Sequence, residues 1–172
     1  MDDDPADIGG KADRDAEFAL FYKEQTPRLV AFLMVLGVPH RLAPDVAQEA
    51  MLEAYRKWDH IDHPGAWIRT VASRTWWRWR EQKRPEVLVE DAGERTRASA
   101  DESEKIVSRY VFLTLLERLP PEQRQVMAWT YDGFQPNEIA AELGKDPATV
   151  RSSLREARKK LRQHYRPDEE AP

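Results

Sequence analysis

The chain has no cysteine. Disulfides, zinc–thiolate centres and thiol catalysis are thereby excluded. It also has no apolar run near the roughly 20 residues that a membrane-spanning helix requires. Its first residues are acidic, where a secretory leader would be basic and then apolar. Together these absences predict a soluble, cytoplasmic protein with no membrane contact of its own. Strand signals are scarce as well, since no alternating segment bounded by turn residues stands out. Phosphate-cradling glycine loops, nucleophile–base sets and paired carboxylates with a pocket signature are missing, so the sequence supports no enzyme and calls for no cofactor.

Charge is abundant, and it comes in blocks. The 172 residues carry a formal net charge of −4. Residues 1–17 hold seven acids against Lys11 and Arg14, and residues 86–104 hold seven against Arg95 and Arg97. Two cationic stretches contrast with these. One contains Arg74, Arg78, Arg80, Lys83 and Arg84, opposed by Glu81. The other contains Arg151, Arg155, Arg158, Lys159, Lys160, Arg162 and Arg166, opposed by Glu156. A polyanion responds to local charge, so an acidic protein with two basic helices can still bind nucleic acid.

Helical periodicity dominates. Apolar stripes predict helices over 17–36, 44–58, 65–84, 106–118, 121–131, 136–143 and 147–165. Pro27 is expected to kink or split the first. Val46, Ala50, Ala54 and Trp58 step by four along one face of the second. Trp76 and Trp79 share a face with Ile68 and Ala72, which marks them as core. Val107, Tyr110, Val111, Leu115 and Leu116 are the expected core of the helix at 106–118. The expected fold is all-α, with two small helical domains joined by a flexible linker. An acidic disordered tail at 1–16 precedes a domain at 17–84. An acidic linker at 85–105 leads to a four-helix domain at 106–166, and a polar tail occupies 167–172.

The stretch "NEIAAELGKDPATVRSSLREARKKLRQ" is the most informative. Ile139, Ala140 and Leu143 point inward from one helix, and Gly144 allows a sharp turn. Asp146 then caps a second helix whose Val150 and Leu154 return to the core. A small residue, glycine four later and a branched apolar residue six after that is helix-turn-helix spacing. Thr149, Arg151, Ser152, Arg155, Arg158 and Lys159 stay off the core face. Such a helix fits the major groove of duplex DNA, with its first residues at base edges and its later cations on phosphates.

Taken together, both halves resemble bacterial RNA polymerase sigma factors of the extracytoplasmic-function group. "FYKEQTPRLVAFLMVLG", "APDVAQEAMLEAYRKWDHIDHPGAWIRTVASR" and "LLERLPPEQRQVMAWTYDGFQPNEIAAELGKDPATVRSSLREARKKL" carry the resemblance, over about 18–84 and 106–165. It implies that the first domain binds core RNA polymerase and opens the −10 promoter element, and that the second binds the −35 element as duplex. It also implies an anti-sigma partner, whose identity the sequence does not show. The polymerase contact falls on Asp45, Gln48, Glu49, Glu53 and Arg56. The −10 contacts fall on His60, Ile61, Asp62 and His63, where the family holds a flipped-out base, and on Ser73, Arg74, Trp77, Arg78, Arg80 and Arg84. The family carries asparagine at the place of Arg74, and smaller residues at Trp76 and Trp77.

Two further readings apply. A helix-turn-helix regulator acting without core polymerase would use the same C-terminal pair, but needs neither the acidic face of 44–58 nor the tryptophan-rich third helix. Asp59, His60, Asp62 and His63 offer metal-ligand types, yet nothing elsewhere in the chain supports a metal centre.

Overall fold

The computed structural model describes residues 5–82 and 111–164. All regular structure among them is helical. The elements are α1 (Pro5–Leu36), α2 (Ala43–Arg56), a 3-10 turn (Trp58–His60), α3 (Pro64–Gln82), α4 (111–117), α5 (Pro121–Tyr131), α6 (Pro136–Leu143) and α7 (Pro147–His164). The expected linker, Val107, Tyr110 and the terminal tail lie outside the described residues.

The N-terminus departs from expectation. The acidic stretch taken as a disordered tail is helical from Pro5 onward and runs unbroken into α1. The reason lies at the end of α2. Arg14 Nη2 donates to the Tyr55 carbonyl at 2.5 Å, and Arg14 Nε lies 3.2 Å from Asp59 Oδ2. The Tyr55 hydroxyl donates to Asp15 Oδ1 at 2.8 Å. That hydrogen bond, with burial and the carboxylate's charge, raises the Tyr55 pKa above the ordinary phenol value, while Arg14 pulls the other way. Phe18 then packs edge-on against Tyr55 and Trp58, each ring 5.0 Å away. Pro27 neither splits nor ends the helix. It sits on the exposed face, and the Thr26 hydroxyl donates to the Tyr22 carbonyl at 2.6 Å beside it.

The apolar stripes mostly bury as the periodicity requires. Val46, Ala50, Ala54 and Trp58 all face inward, as do Ile68, Ala72 and Trp76, while Trp79 is half-buried. Val111 is a correction, being 42% exposed. Phe112, Leu116 and Leu119 form the inward stripe at i, i+4 and i+7, and Val111 falls beside it. Tyr22, on the apolar stripe that the periodicity gives the helix at 17–36, is likewise exposed, at 39%.

The two halves share one continuous core instead of holding separate ones. The cluster that begins at Leu29 and Phe32 continues through Trp129 to Val150 and Leu154. The Trp129 ring is fully buried, edge-on to Phe32 at 5.6 Å and to Phe134 at 4.8 Å. Arg124 reaches across the same seam. Its Nε donates to the Leu116 carbonyl at 2.9 Å, and its guanidinium occupies the space where a Cβ on Gly37 would stand. Gly37 also has φ 102°, a conformation that favours glycine whatever its neighbour.

Trp129→Ala removes the ring that joins the halves, and a cost of about 3–5 kcal/mol is expected, measurable by urea denaturation.

Candidate nucleic-acid interface

The C-terminal helix pair is built from backbone outward. Gly144 adopts φ 62° and ψ 36°, the left-handed conformation that closes α6, and Lys145 N–H returns to the Ala140 carbonyl at 2.9 Å. Asp146 Oδ1 accepts from Ala148 N–H at 2.7 Å and caps α7. At the other end of α6, Glu138 Oε2 accepts from Gln135 N–H at 2.7 Å. Val150, Leu154 and Ala157 anchor α7 at i, i+4 and i+7. Thr149, Arg151, Ser152, Arg155, Arg158 and Lys159 are all exposed, as the spacing requires. Arg151 Nη1 touches Asn137 Oδ1 at 3.4 Å, and Arg162 further along α7 is exposed as well.

A second surface gathers around the loop before α3. His60, Ile61, Asp62 and His63 line a cleft of about 470 Å³ together with Trp67, Thr70, Val71 and Arg74. Trp67 is half-buried, with Lys57 Nζ 5.8 Å from its ring centre. One wall comes from the other half of the molecule: Ala141 and Glu142 of α6. Thr70 Oγ1 donates to Glu142 Oε2 at 3.3 Å.

Along α3, Arg74, Arg78 and Arg80 are exposed, and Arg80 lies over the half-buried Trp77 ring at 4.9 Å. Arg78 Nη2 meets Glu49 Oε1 at 2.5 Å, so a residue expected to face DNA and one expected to face polymerase hold each other. Ser73 is a correction. It is buried, and its hydroxyl donates to the Arg69 carbonyl at 2.7 Å, because one residue on from Ala72 still lies on the inward side of α3. Arg84 lies outside the described residues.

A third surface is an open groove of about 760 Å³ between α1 and α2. Phe18, Tyr22, Met51, Leu52 and Tyr55 form its apolar part, and Asp45, Gln48 and Glu49 form its rim. Glu53 pairs with Lys57 at 3.1 Å, and neither Glu53 nor Arg56 lines the groove. Leu52 is 51% exposed, and the reading of the sequence missed it. Its signal was available: Leu52 sits about 200° round the helix from Ala50, so it is an apolar residue on the solvent side of an amphipathic helix.

Arg69 was missed too. This guanidinium is 2% exposed. It pairs with Asp132, donates to the Gly65 carbonyl at 2.6 Å, lies 3.3 Å from Gln25 Oε1, and stands 5.4 Å from the Phe134 ring centre.

Among the described residues, then, the helices carry a capped helix-turn-helix, a cationic third helix and an acid-rimmed apolar groove. Comparison makes the assignment specific. Residues 21–85 match the sigma-70 region 2 family and residues 109–161 match sigma-70 region 4. The RNA polymerase sigma-E factor of Streptomyces avermitilis is 34% identical over 128 residues, spanning 70% of this chain and 69% of that one. The protein of the same name from Streptomyces coelicolor is 32% identical over 127 residues, spanning 70% of each. The ECF RNA polymerase sigma factor RpoE of Cereibacter sphaeroides is 29% identical over 160 residues, with 87% of each chain covered. Among solved structures, the sigma factor RpoE bound to the anti-sigma factor NepR from Bartonella quintana has the same fold, with TM-score 0.64, 22% identity, and 86% of this chain and 95% of that chain covered. CnrH in complex with the cytosolic domain of CnrY gives TM-score 0.65 at 19% identity, over 87% of this chain and 88% of that one. The chain belongs to the sigma-70 family of RNA polymerase sigma factors, and it is a promoter-recognition subunit. That family consists of transcription initiation factors, and no described helix is long and apolar enough to cross a membrane.

Two substitutions isolate the turn that aims α7. Asp146→Ala removes a cap and is expected to cost about 1 kcal/mol. Gly144→Ala meets no neighbouring atom, so its cost, also about 1 kcal/mol, comes from the left-handed backbone alone. Thermal unfolding of each variant measures both.

Proposed function

We propose a division of labour among the three surfaces. The groove of Phe18, Tyr22, Leu52, Asp45, Gln48 and Glu49 takes core RNA polymerase. The cleft at His60–His63, with Arg74, Trp77, Arg78 and Arg80 along α3, takes the unpaired strand of the −10 element. The exposed face of α7, from Thr149 to Lys159, reads the −35 element as duplex. The chain works in the cytoplasm, where its polymerase is, and has no catalytic step of its own.

The observation that carries this reading is the groove. Half-exposed Leu52 amid aromatic residues and carboxylates is a protein-docking surface, with an apolar centre and a polar rim. A regulator that binds only DNA has no use for it. The exposed cations of α7 supply the duplex contact, because helix N-terminal side chains reach base edges and later cations neutralise phosphates. The cleft supplies the single-strand contact. Extruding a base costs a few kcal/mol, which a pocket with an aromatic wall and flanking cations repays. An anti-sigma protein is the expected inhibitor, since the RpoE of similar fold is bound to the anti-sigma factor NepR, and covering the groove would be enough to silence the chain.

Transcription from a cognate promoter by purified core polymerase, with and without this protein, tests the whole reading; equal transcripts in both would sink it. Leu52→Asp should leave stability within about 0.5 kcal/mol, since the side chain is half-exposed. It should weaken association with core polymerase by more than about tenfold, as loss of an interface anchor does. Arg151→Ala should cost about 1–3 kcal/mol at one base position if its guanidinium reads a base edge. A uniform loss across all sequences would place it on a phosphate. Quantitative binding to a panel of −35 variants distinguishes the two.

A further inference from the structure

The loop of His60, Ile61, Asp62 and His63 hangs between two fixed ends. Its far end is fixed by its own helix, since Trp67 N–H donates to the His63 carbonyl at 3.0 Å as α3 begins. Its near end is the 3-10 turn. There His60 N–H donates to the Lys57 carbonyl at 2.9 Å, and Ile61 N–H to the Trp58 carbonyl at 3.3 Å. Hydrogen bonds of that kind are poorly aligned, so a single such turn holds its direction weakly. What orients it comes from α1.

Two kinds of contact reach the turn from that helix. The buried Trp58 ring packs against Phe18 and Phe21, at 5.0 and 4.8 Å. One helical turn earlier, Arg14 lies where α2 ends. Its Nη2 donates to the Tyr55 carbonyl, in the last turn of α2, and its Nε stands at ion-pair distance, 3.2 Å, from Asp59 Oδ2. Its guanidinium carbon is 5.1 Å from the Tyr55 ring centre, and the neighbouring Asp15 accepts from the Tyr55 hydroxyl. One planar cation thus joins the end of α2 to the residue just before His60. A cation suits a helix C-terminus, and the rigid arginine fork holds two acceptors at a set angle, as a flexible lysine does not. With side chains 27% and 59% exposed, the ion pair adds little to stability. Its effect is on direction: it sets the angle at which the chain leaves α2 and enters the loop.

We propose that Arg14 is a positioning residue for the −10 strand, a brace that presets the His60–His63 loop for an extruded base. This rests on the reading of that cleft given above. Arg14 and Asp15 precede residues 21–85, the stretch that matches sigma-70 region 2, so the brace is an addition of this chain's N-terminal helix to that region. A loop already in its binding conformation loses less freedom when its ligand arrives. Ordering one backbone residue corresponds to about a tenfold change in affinity. Releasing the near end of the loop therefore weakens strand capture by roughly that factor. The N-terminal end of α1 thereby acts in promoter opening without touching DNA or polymerase.

The test uses holoenzyme reconstituted from the full chain and core polymerase, with a pool of single-stranded DNA carrying a randomised stretch. Strands retained by the parent give its base preference, and the most enriched strand, fluorescently labelled, becomes the affinity probe. Arg14→Ala and the charge-conserving Arg14→Lys should each bind that strand roughly tenfold more weakly and select a flatter preference from the pool. Affinity for core polymerase and the melting temperature should stay close to those of the parent. Asp59→Ala breaks the contact from its other end. Charge alone predicts tighter binding once a carboxylate beside the strand is gone; the brace predicts the same loosening as Arg14→Ala, with no further loss in the double variant. Tighter binding by Asp59→Ala, or parent-like binding by Arg14→Lys, would reduce Arg14 to a charge and overturn the brace while leaving the cleft reading intact. Strand binding lost in step with core affinity and melting temperature would overturn it too, by making Arg14 a residue of the fold alone. A parent that enriches no strand would overturn the cleft reading and the brace together.

Discussion

A guanidinium removed from water must find a carboxylate, and in this molecule it finds one in the other half of the chain. Arg69 on α3 is buried against Asp132 at the end of α5, and the placing of the two halves follows from that constraint. Buried pairs add little net stability, because desolvating two charges offsets most of their attraction. Their value lies in discrimination, since any other docking of the halves would leave a charge stranded. The apolar seam of Phe32, Trp129 and Phe134 supplies the affinity that the ion pair does not. Arg124 over Gly37 sets how closely α5 approaches α1.

Local features were readable in the sequence, and features that depend on distant partners were not. Gly144, Asp146 and the Val150–Leu154 stripe specify their turn, cap and packing within about ten residues, so the helix-turn-helix could be read directly. The exposed cations of α7 follow once that stripe is fixed. The N-terminal extension of α1 was not readable, because Asp15 and Arg14 are held by Tyr55 and Asp59, some 40 residues on. Ser73 was misplaced for a related reason. The resemblance put it among the −10 contacts on the helix surface, and which side of α3 turns inward depends on its packing against α2 and α1. Arg69 looked like any cation on a helix that carries several, and its carboxylate lies 63 positions away.

The same distinction applies to the candidate sites. The rim of the groove between α1 and α2 was legible as one acid per turn, whereas its apolar floor combines Leu52 with residues of a different helix. The loop His60–His63 was identified by its order in the family resemblance, while its fourth wall, Glu142, belongs to a segment with no sequence relation to it. Sites made by one element can be read from sequence, and sites made by the meeting of two need the fold.

The contact between Arg78 and Glu49 joins surfaces that would otherwise act separately. Glu49 borders the groove on α2, and Arg78 belongs to the basic face of α3. A visitor that claims the carboxylate sets the guanidinium loose for a phosphate, and a phosphate that claims the guanidinium bares the carboxylate. By thermodynamic reciprocity each ligand must then ease the arrival of the other by the same factor. Because both side chains are partly in solvent, that factor corresponds to only about 0.2–1 kcal/mol: a gentle cross-talk, wired by one pair of side chains.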